Sequence, residues 1–272
     1  MDGHSQKEGG DDVSLTISDL EQRYGGKEIL RGISFDVEKG KVVSVLGPNG
    51  CGKSTLIKTV CNIMKPYAGT VCADGRNIAE TDPKEFSKIV GYVPQKYIPS
   101  DYMSVLDAIL IGRAPYVSWS YSDDDFRAAF EAMEAIGILD LMDRSVNDLS
   151  GGQIQKVVIA RALTQNPKYF VLDEPTSALD LKNQMGALRT VRDVVEKGET
   201  GALVALHDLN LAMHFCDEVV MLKDGRIYRK GSPEDTIDED SIREVYGVSS
   251  EIVEGRSGLY VHIVEDPPDF GE

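Results

Sequence analysis

The tightest constraint on this chain is one run of residues, Gly47-Pro48-Asn49-Gly50-Cys51-Gly52-Lys53-Ser54-Thr55, set between an apolar segment (Val42 to Leu46) and a stretch of helical character (about Lys53 to Met64, stopped by Pro66). The apolar segment has strand length and almost no polar side chain, as expected of a strand buried on both faces. The spacing G-x-x-x-x-G-K-[ST] in that context describes a phosphate-binding loop. Its glycines permit backbone conformations that turn successive N–H groups inward at an anion. The helix starting after Gly52 adds its positive end. In this reading Gly47 to Thr55 cradle a nucleotide, Lys53 holds the β- and γ-phosphates, and Ser54 ligates magnesium. Chance alone gives the bare pattern in roughly one chain in a hundred of this length. A dinucleotide-binding fingerprint is excluded, because Thr55 stands where its third glycine belongs.

Composition narrows the partners. The 272 residues carry 29 Lys+Arg against 45 Asp+Glu, a net charge of −16. Such a surface disfavours nonspecific contact with nucleic acid or anionic lipid, while leaving room for a small basic pocket. Hydrophobic residues at 42% and charged residues at 27% are ordinary for a soluble globular protein. No stretch approaches the ~18 apolar residues of a membrane span. The first dozen residues are polar and acidic without an apolar core, so residues 1–12 are predicted to be a disordered tail and not a secretory signal. Cys51, Cys61, Cys72 and Cys216 lack CxxC or metal-ligand spacing, which points to reduced thiols in a cytoplasmic setting.

Periodicity organises the rest. Alternation through Val13, Leu15 and Ile17, a turn at Tyr24-Gly25-Gly26-Lys27, and alternation through Ile33, Phe35 and Val37 predict antiparallel strands. Asp74-Gly75 predicts a hairpin turn, and Ile89–Val93 a further strand. From about Ser104 to Gln165 the pattern is helical, with Asp123-Asp124-Asp125 suited to a helix N-terminus. Strand runs at Tyr169–Leu172, Ala202–Leu206 and Glu218–Leu222 then alternate with helices at Leu181–Glu196 and Leu209–Cys216. That alternation predicts a parallel sheet covered by helices, with the helical stretch inserted into it. A helix (Asp238–Tyr246) and a hairpin (Glu251–Val264) close the chain.

Three further residue sets carry chemistry. Tyr169 to Leu172 ends in Asp173-Glu174, about 120 residues after the phosphate loop. A phosphate-loop nucleoside triphosphatase needs such an acid to hold the magnesium shell, which suits Asp173. Strand alternation would point Glu174 the other way, toward an attacking water. Leu149-Ser150-Gly151-Gly152-Gln153 precedes an amphipathic helix and offers a second helix N-terminus to an anion.

With these residues in place the sequence resembles the ATP-binding subunit of an ABC transporter, over about Leu15 to Gly231. The Leu149–Gln153 element ends 20 residues before Asp173, in the order and spacing of that family. Tyr24 matches the aromatic that stacks on adenine, Gln95 the glutamine at the entry to the helical insertion, Ser177-Ala178-Leu179-Asp180 the D-loop, and His207 the switch histidine. Lys156 departs from the arginine many relatives carry after the signature, and so loses a planar bidentate contact.

The resemblance implies an α/β P-loop NTPase core with a mostly parallel sheet, an N-terminal antiparallel β subdomain and an inserted helical subdomain. The expected boundaries are 13–95 and 166–232 for the core, 96–165 for the helical subdomain and 233–272 for a C-terminal extension. It implies ATP and Mg2+ as ligands, the metal held by Ser54, Gln95 and Asp173. Two copies would sandwich ATP head to tail, each loop closed by the other copy's Ser150, Gly151, Gly152 and Gln153. Glu174 is then the general base, His207 and Gln95 contact the γ-phosphate and its water, and Asp180 couples the two sites. Two transmembrane permease subunits and an external substrate-binding protein would complete an importer at the cytoplasmic face of the membrane, with no nucleic acid partner. Ile111-Gly112-Arg113-Ala114-Pro115-Tyr116 with Trp119 and Tyr121, His207-Asp208-Leu209-Asn210-Leu211-Ala212, and Val245-Tyr246-Gly247-Val248 resemble the ATPases of iron–siderophore, haem and cobalamin uptake. Uptake of iron complexes ranks first, with cobalamin, haem and molybdate as neighbours. The rival from another class is a soluble ABC ATPase of iron–sulfur cluster assembly.

Overall fold

The computed structural model describes residues 14–95, 97, 103–177, 179–197, 199–256 and 258–264. The expected tail over residues 1–12 lies outside them. A hairpin, β1 (Ser14–Tyr24) and β2 (Lys27–Glu38), turns at Gly25-Gly26 and leads to β3 (Val42–Leu46). The phosphate-loop helix α1 (Lys53–Val60) follows. It is shorter than the expected span to Met64. Asn62 takes a left-handed φ of 54°, and the Ile63 N–H closes onto the Lys58 carbonyl (2.9 Å). That closure is a Schellman stop with Asn in the place usually given to glycine.

β4 (Ala68–Ala73) and β5 (Arg76–Asn77) pair across the Asp74-Gly75 turn, whose two residues both have positive φ as a two-residue hairpin requires. α2 (Pro83–Ile89), capped by Asp82, then runs into β6 (Val90–Val93). The sequence pattern left α2 unread because it is short and buries little beyond Phe86. The helical stretch resolves into α3 (Val105–Leu110), α4 (Asp123–Ile136) and α5 (Gly151–Thr164), separated by turns of 3-10 helix. The acidic start of α4 closes as a capping box between Ser122 and Asp125.

The chain returns to strands with β7 (Tyr169–Asp173), α6 (Leu181–Val195), β8 (Gly201–Ala205), α7 (Leu209–Phe215) and β9 (Glu218–Lys223). An edge strand, β10 (Arg226–Gly231), a short α8 (Pro233–Thr236), α9 (Glu239–Tyr246) and the hairpin β11 (Ser249–Gly255) and β12 (Gly258–Val264) complete it. The central sheet has the order β10-β9-β3-β8-β7-β6, parallel except for β10. The second sheet, β2-β1-β4-β5, is antiparallel.

Burial explains the layers. Along β3, Val43 and Val45 join Leu15, Ile17, Val37 and α1 in one apolar cluster, whereas Val42 and Leu46 join the helices in another. The same division runs through β7, with Val171 on one side and Phe170 and Leu172 on the other. Each central strand thus buries both rows of side chains, which accounts for its unbroken apolar run. Each fully buried Val or Leu contributes about 1.5–3 kcal/mol, so the sheet is a rigid platform for the loops at its strand ends. Among the described residues, no helix is long and apolar enough to cross a membrane.

Candidate active site

The predicted site residues Lys53, Ser54, Gln95, Asp173, Glu174 and His207 collect at the C-terminal ends of β3, β6, β7 and β8, the edge where ligands sit in open α/β sheets. After β3 the backbone turns at Gly47 with φ 147°. A Cβ there would stand 2.5 Å from the Leu222 carbonyl oxygen and 2.7 Å from Cys51 Sγ, so only glycine fits. Cys51 is buried in the loop, and burial pushes its thiol pKa up. Lys53, only 4% exposed, folds its ammonium back over the loop. Nζ donates to the Gly47 carbonyl at 2.6 Å and the Pro48 carbonyl at 3.2 Å. Both acceptors are neutral, and a phosphate oxygen would make a stronger, charge-assisted bond to the same ammonium.

From the next residue, Ser54 Oγ donates to Asp173 Oδ1 at 2.9 Å, bridging α1 and the end of β7. Burial raises the Asp173 carboxyl pKa, the Glu174 charge adds to that, and the Ser54 bond opposes it. Strand alternation does not place Glu174. The strand ends at Asp173, and Glu174 takes a left-handed φ of 50°. Among the described residues the other non-glycine positive-φ positions are all Asn or Asp, types that tolerate this region. Glu174 holds a strained conformation at the mouth of the loop, as functional residues often do. The kink brings its carboxylate between two partners. Oε2 accepts from Gln95 Nε2, and Oε1 lies 2.5 Å from His207 Nε2. Gln95 follows β6 and His207 follows β8, so one carboxylate ties together three strand ends.

This donor set fits a magnesium–phosphate complex. Ser54 and Asp173 are hard oxygen ligands in hydrogen-bond contact, and a divalent cation would relieve the charge crowding around Asp173. Among the described residues no group of three His, Cys, Asp or Glu side chains forms a closed metal cage. Phosphate and water oxygens would therefore complete the shell, as is usual for this ion.

The remaining predicted residues form a second, more exposed patch. Ser150 and Gln153 close a capping box at the start of α5, Ser150 Oγ accepting from the Gln153 amide (3.4 Å) and Gln153 Oε1 from the Ser150 amide (2.9 Å). Asp180 caps α6 by accepting from the Asn183 amide at 2.8 Å. The two helix starts are neighbours, since a Cβ on Gly152 would approach Asn183 Nδ2 to 2.8 Å. Ala178 of the expected D-loop lies outside the described residues. Tyr24, at the β1–β2 turn, is 70% exposed. Of the aromatic cluster, Tyr116 donates its hydroxyl to the Gln165 carbonyl (2.9 Å), while Trp119 is wholly exposed.

Nothing in the sequence singles out Tyr92, and Tyr246 is marked there only within Val245–Val248, without its contact. Tyr92 on β6 has its phenol pushed up to about 12, by burial first and then by the charge of Asp173. Tyr246, at the end of α9, buries its hydroxyl beside the Gly47 backbone without a hydrogen bond of good geometry. No local pattern signals either contact, because each joins segments far apart in the chain.

Comparison with known proteins decides the family. The ABC transporter profile matches residues 30–177, more than half of the chain. The chain belongs to the ABC transporter family. It is the ATP-binding cassette of that family, an ATPase. An uncharacterised ABC transporter ATP-binding protein of Methanocaldococcus jannaschii is 44% identical over 238 residues, covering 88% of this cassette and 93% of that protein. A Bacillus subtilis protein named for a siderophore transport system is 35% identical, over 89% of this cassette and 88% of its own length. The hemin import ATP-binding protein of Rhodococcus jostii is 36% identical, over 89% and 82%. Among solved structures, an inward-facing ABC transporter assigned to the metal-chelate type superposes with a TM-score of 0.80 at 26% identity, covering 92% of this cassette and 96% of that chain. A dimeric bacterial ABC transporter cassette superposes at 0.72 with 28% identity, covering 80% and 98%.

Proposed function

We propose that this cassette energises an importer of iron complexes of the siderophore type, working as a head-to-tail pair that holds ATP between two copies. The observation that carries the catalytic part is the Glu174 carboxylate, kinked out of β7 and shared between Gln95 and His207 at the mouth of the phosphate loop. Supporting the importer part are relatives named for siderophore and hemin transport and the metal-chelate assignment of a structural neighbour.

In this mechanism the amides from Gly47 to Thr55 take the phosphates, and Lys53 exchanges the Gly47 and Pro48 carbonyls for β- and γ-phosphate oxygens. Tyr24 offers its exposed ring to adenine. Ser54 and Asp173, with Gln95, would hold Mg2+, which when bound supplies positive charge against the phosphates. Glu174 accepts the proton of the attacking water, and His207 donates a hydrogen bond to the γ-phosphate. Gln95 links that event to the helical insertion. Ser150, Gly151, Gly152 and Gln153 close over the ATP held by the other copy, and Asp180 joins the two sites. Exposure of the Ser150 and Asp180 helix starts suits that contact. Two permease subunits and an external binding protein complete the importer at the cytoplasmic membrane face.

Glu174→Gln tests the catalytic reading. Turnover should fall at least about 100-fold, while ATP shifts the variant from monomer to dimer in light scattering. A variant that hydrolyses ATP normally removes Glu174 from the base role. A variant that is inactive yet monomeric with ATP removes the sandwich.

A further inference from the structure

The C-terminal extension meets the catalytic edge at two points. At the end of α9, Tyr246 lies against Gly47 of the phosphate loop. In the first turn of α7, three residues after His207, the Asn210 side chain pairs with a single backbone position of β12. The Val261 N–H donates to Asn210 Oδ1 at 2.7 Å, and Asn210 Nδ2 donates to the Val261 carbonyl at 3.2 Å. A side-chain amide that uses its donor and its acceptor on one residue is held in orientation as well as in distance. Val261 is itself buried.

Local bonds carry that constraint back to His207. Asp208 caps α7 by accepting from the amides of Asn210 (2.8 Å) and Leu211 (3.1 Å). On the other side, the Leu206 N–H is held by the Val45 carbonyl at 3.1 Å. His207 therefore sits on a short link between a fixed strand end and a fixed helix start, with its Nε2 2.5 Å from Glu174. Its own side chain is 40% exposed, so packing alone does little to hold it. A cavity of about 360 Å³ opens beside His207 between α7, α9 and β12. Space there lets α7 shift if the Asn210 tie is cut.

We propose that Asn210 is a positioning residue for ATP hydrolysis: by pairing with Val261 it uses the C-terminal hairpin as a brace that sets His207 against Glu174. The proposal rests on the reading of His207 as a γ-phosphate contact. Misplacing a reacting group by an ångström can slow catalysis by about 100-fold, and loosening a second-layer tie does part of that. Removing the tie should act on the chemical step and leave ATP binding, which the phosphate loop carries, nearly intact.

Steady-state ATPase kinetics on the full chain test this with Asn210→Ala, His207→Ala and the double variant. Asn210→Ala should lower kcat about tenfold with KM for ATP within about twofold. In the His207→Ala background it should cost less than about twofold more, because the residue it positions is gone. Asn210→Asp keeps the acceptor for the Val261 N–H and should retain more of kcat than the alanine variant. It also serves for the same comparison should the alanine variant not fold. A wild-type kcat for Asn210→Ala, or losses that multiply fully in the double variant, overturns the brace. A wild-type kcat for His207→Ala instead overturns the histidine reading beneath it.

Discussion

Two regions of this cassette each bury a cation and a carboxylate, and they treat them in opposite ways. In the helical insertion Arg113 is fully answered. Its Nε donates to Asp125 at 2.7 Å, its NH1 to the Thr164 carbonyl at 2.8 Å, and its guanidinium lies 3.9 Å over the Tyr116 ring. Asp125 is held below the usual carboxylate range, first by the Ser122 amide and then by Arg113. At the strand-end site Lys53 has only neutral carbonyls, and Asp173 is raised by burial and by Glu174. One pair is complete within the chain and holds α4 against α5. The other is left short of opposite charge, and an anion with its cation would supply what each lacks. Completeness of the partner set separates a structural ion pair from a binding site.

Three substitutions can break that contrast. Lys53→Met should lower ATP turnover by about 100-fold or more, with little change in the urea midpoint of the nucleotide-free protein. A large loss of stability would show that Lys53 is structural after all. Asp125→Ala leaves the Arg113 charge buried and should lose about 3 kcal/mol in urea unfolding, while the folded fraction keeps its ATPase activity. Because the folded carboxyl titrates below its unfolded value, its contribution is present above the unfolded pKa of about 4 and is lost as pH falls through the folded pKa. The gap between wild type and variant should therefore narrow in acid. Asp173→Asn should act in the other direction, gaining about 1 kcal/mol as the crowded charge is removed. It should abolish Mg2+-dependent turnover at the same time. A destabilised Asp173→Asn protein would mean that the Ser54 bond outweighs burial and repulsion.

Much of this was legible in one dimension. The Val42–Leu46 run, the loop from Gly47 to Thr55 and the alternation of β7, α6, β8, α7 and β9 follow from local periodicity, which burial on both faces of a parallel strand enforces. The Asp74-Gly75 turn and the α4 cap were equally readable, since backbone chemistry selects those residue types. Alternation along β7 does not account for Glu174. Its orientation comes from a left-handed kink that no propensity favours for glutamate. α1 ends early at the Schellman closure on Asn62, whose side chain also donates to the Ile78 carbonyl (3.3 Å), sixteen residues ahead. No local pattern around Arg113 signals its pairing with Asp125, which depends on how α3, α4 and α5 pack.

The sequence by itself determined the kind of chemistry, because a phosphate loop and an acidic strand end need particular residue types at set local spacings. Tertiary structure alone decided which side chains share the Glu174 carboxylate, which buried charges are answered, and that Asn210 meets Val261 across 51 residues. The physical reason is that spacing along a chain constrains only neighbours within a turn or a strand. Contacts between distant segments depend on how the layers pack, and those contacts hold the reacting groups in place.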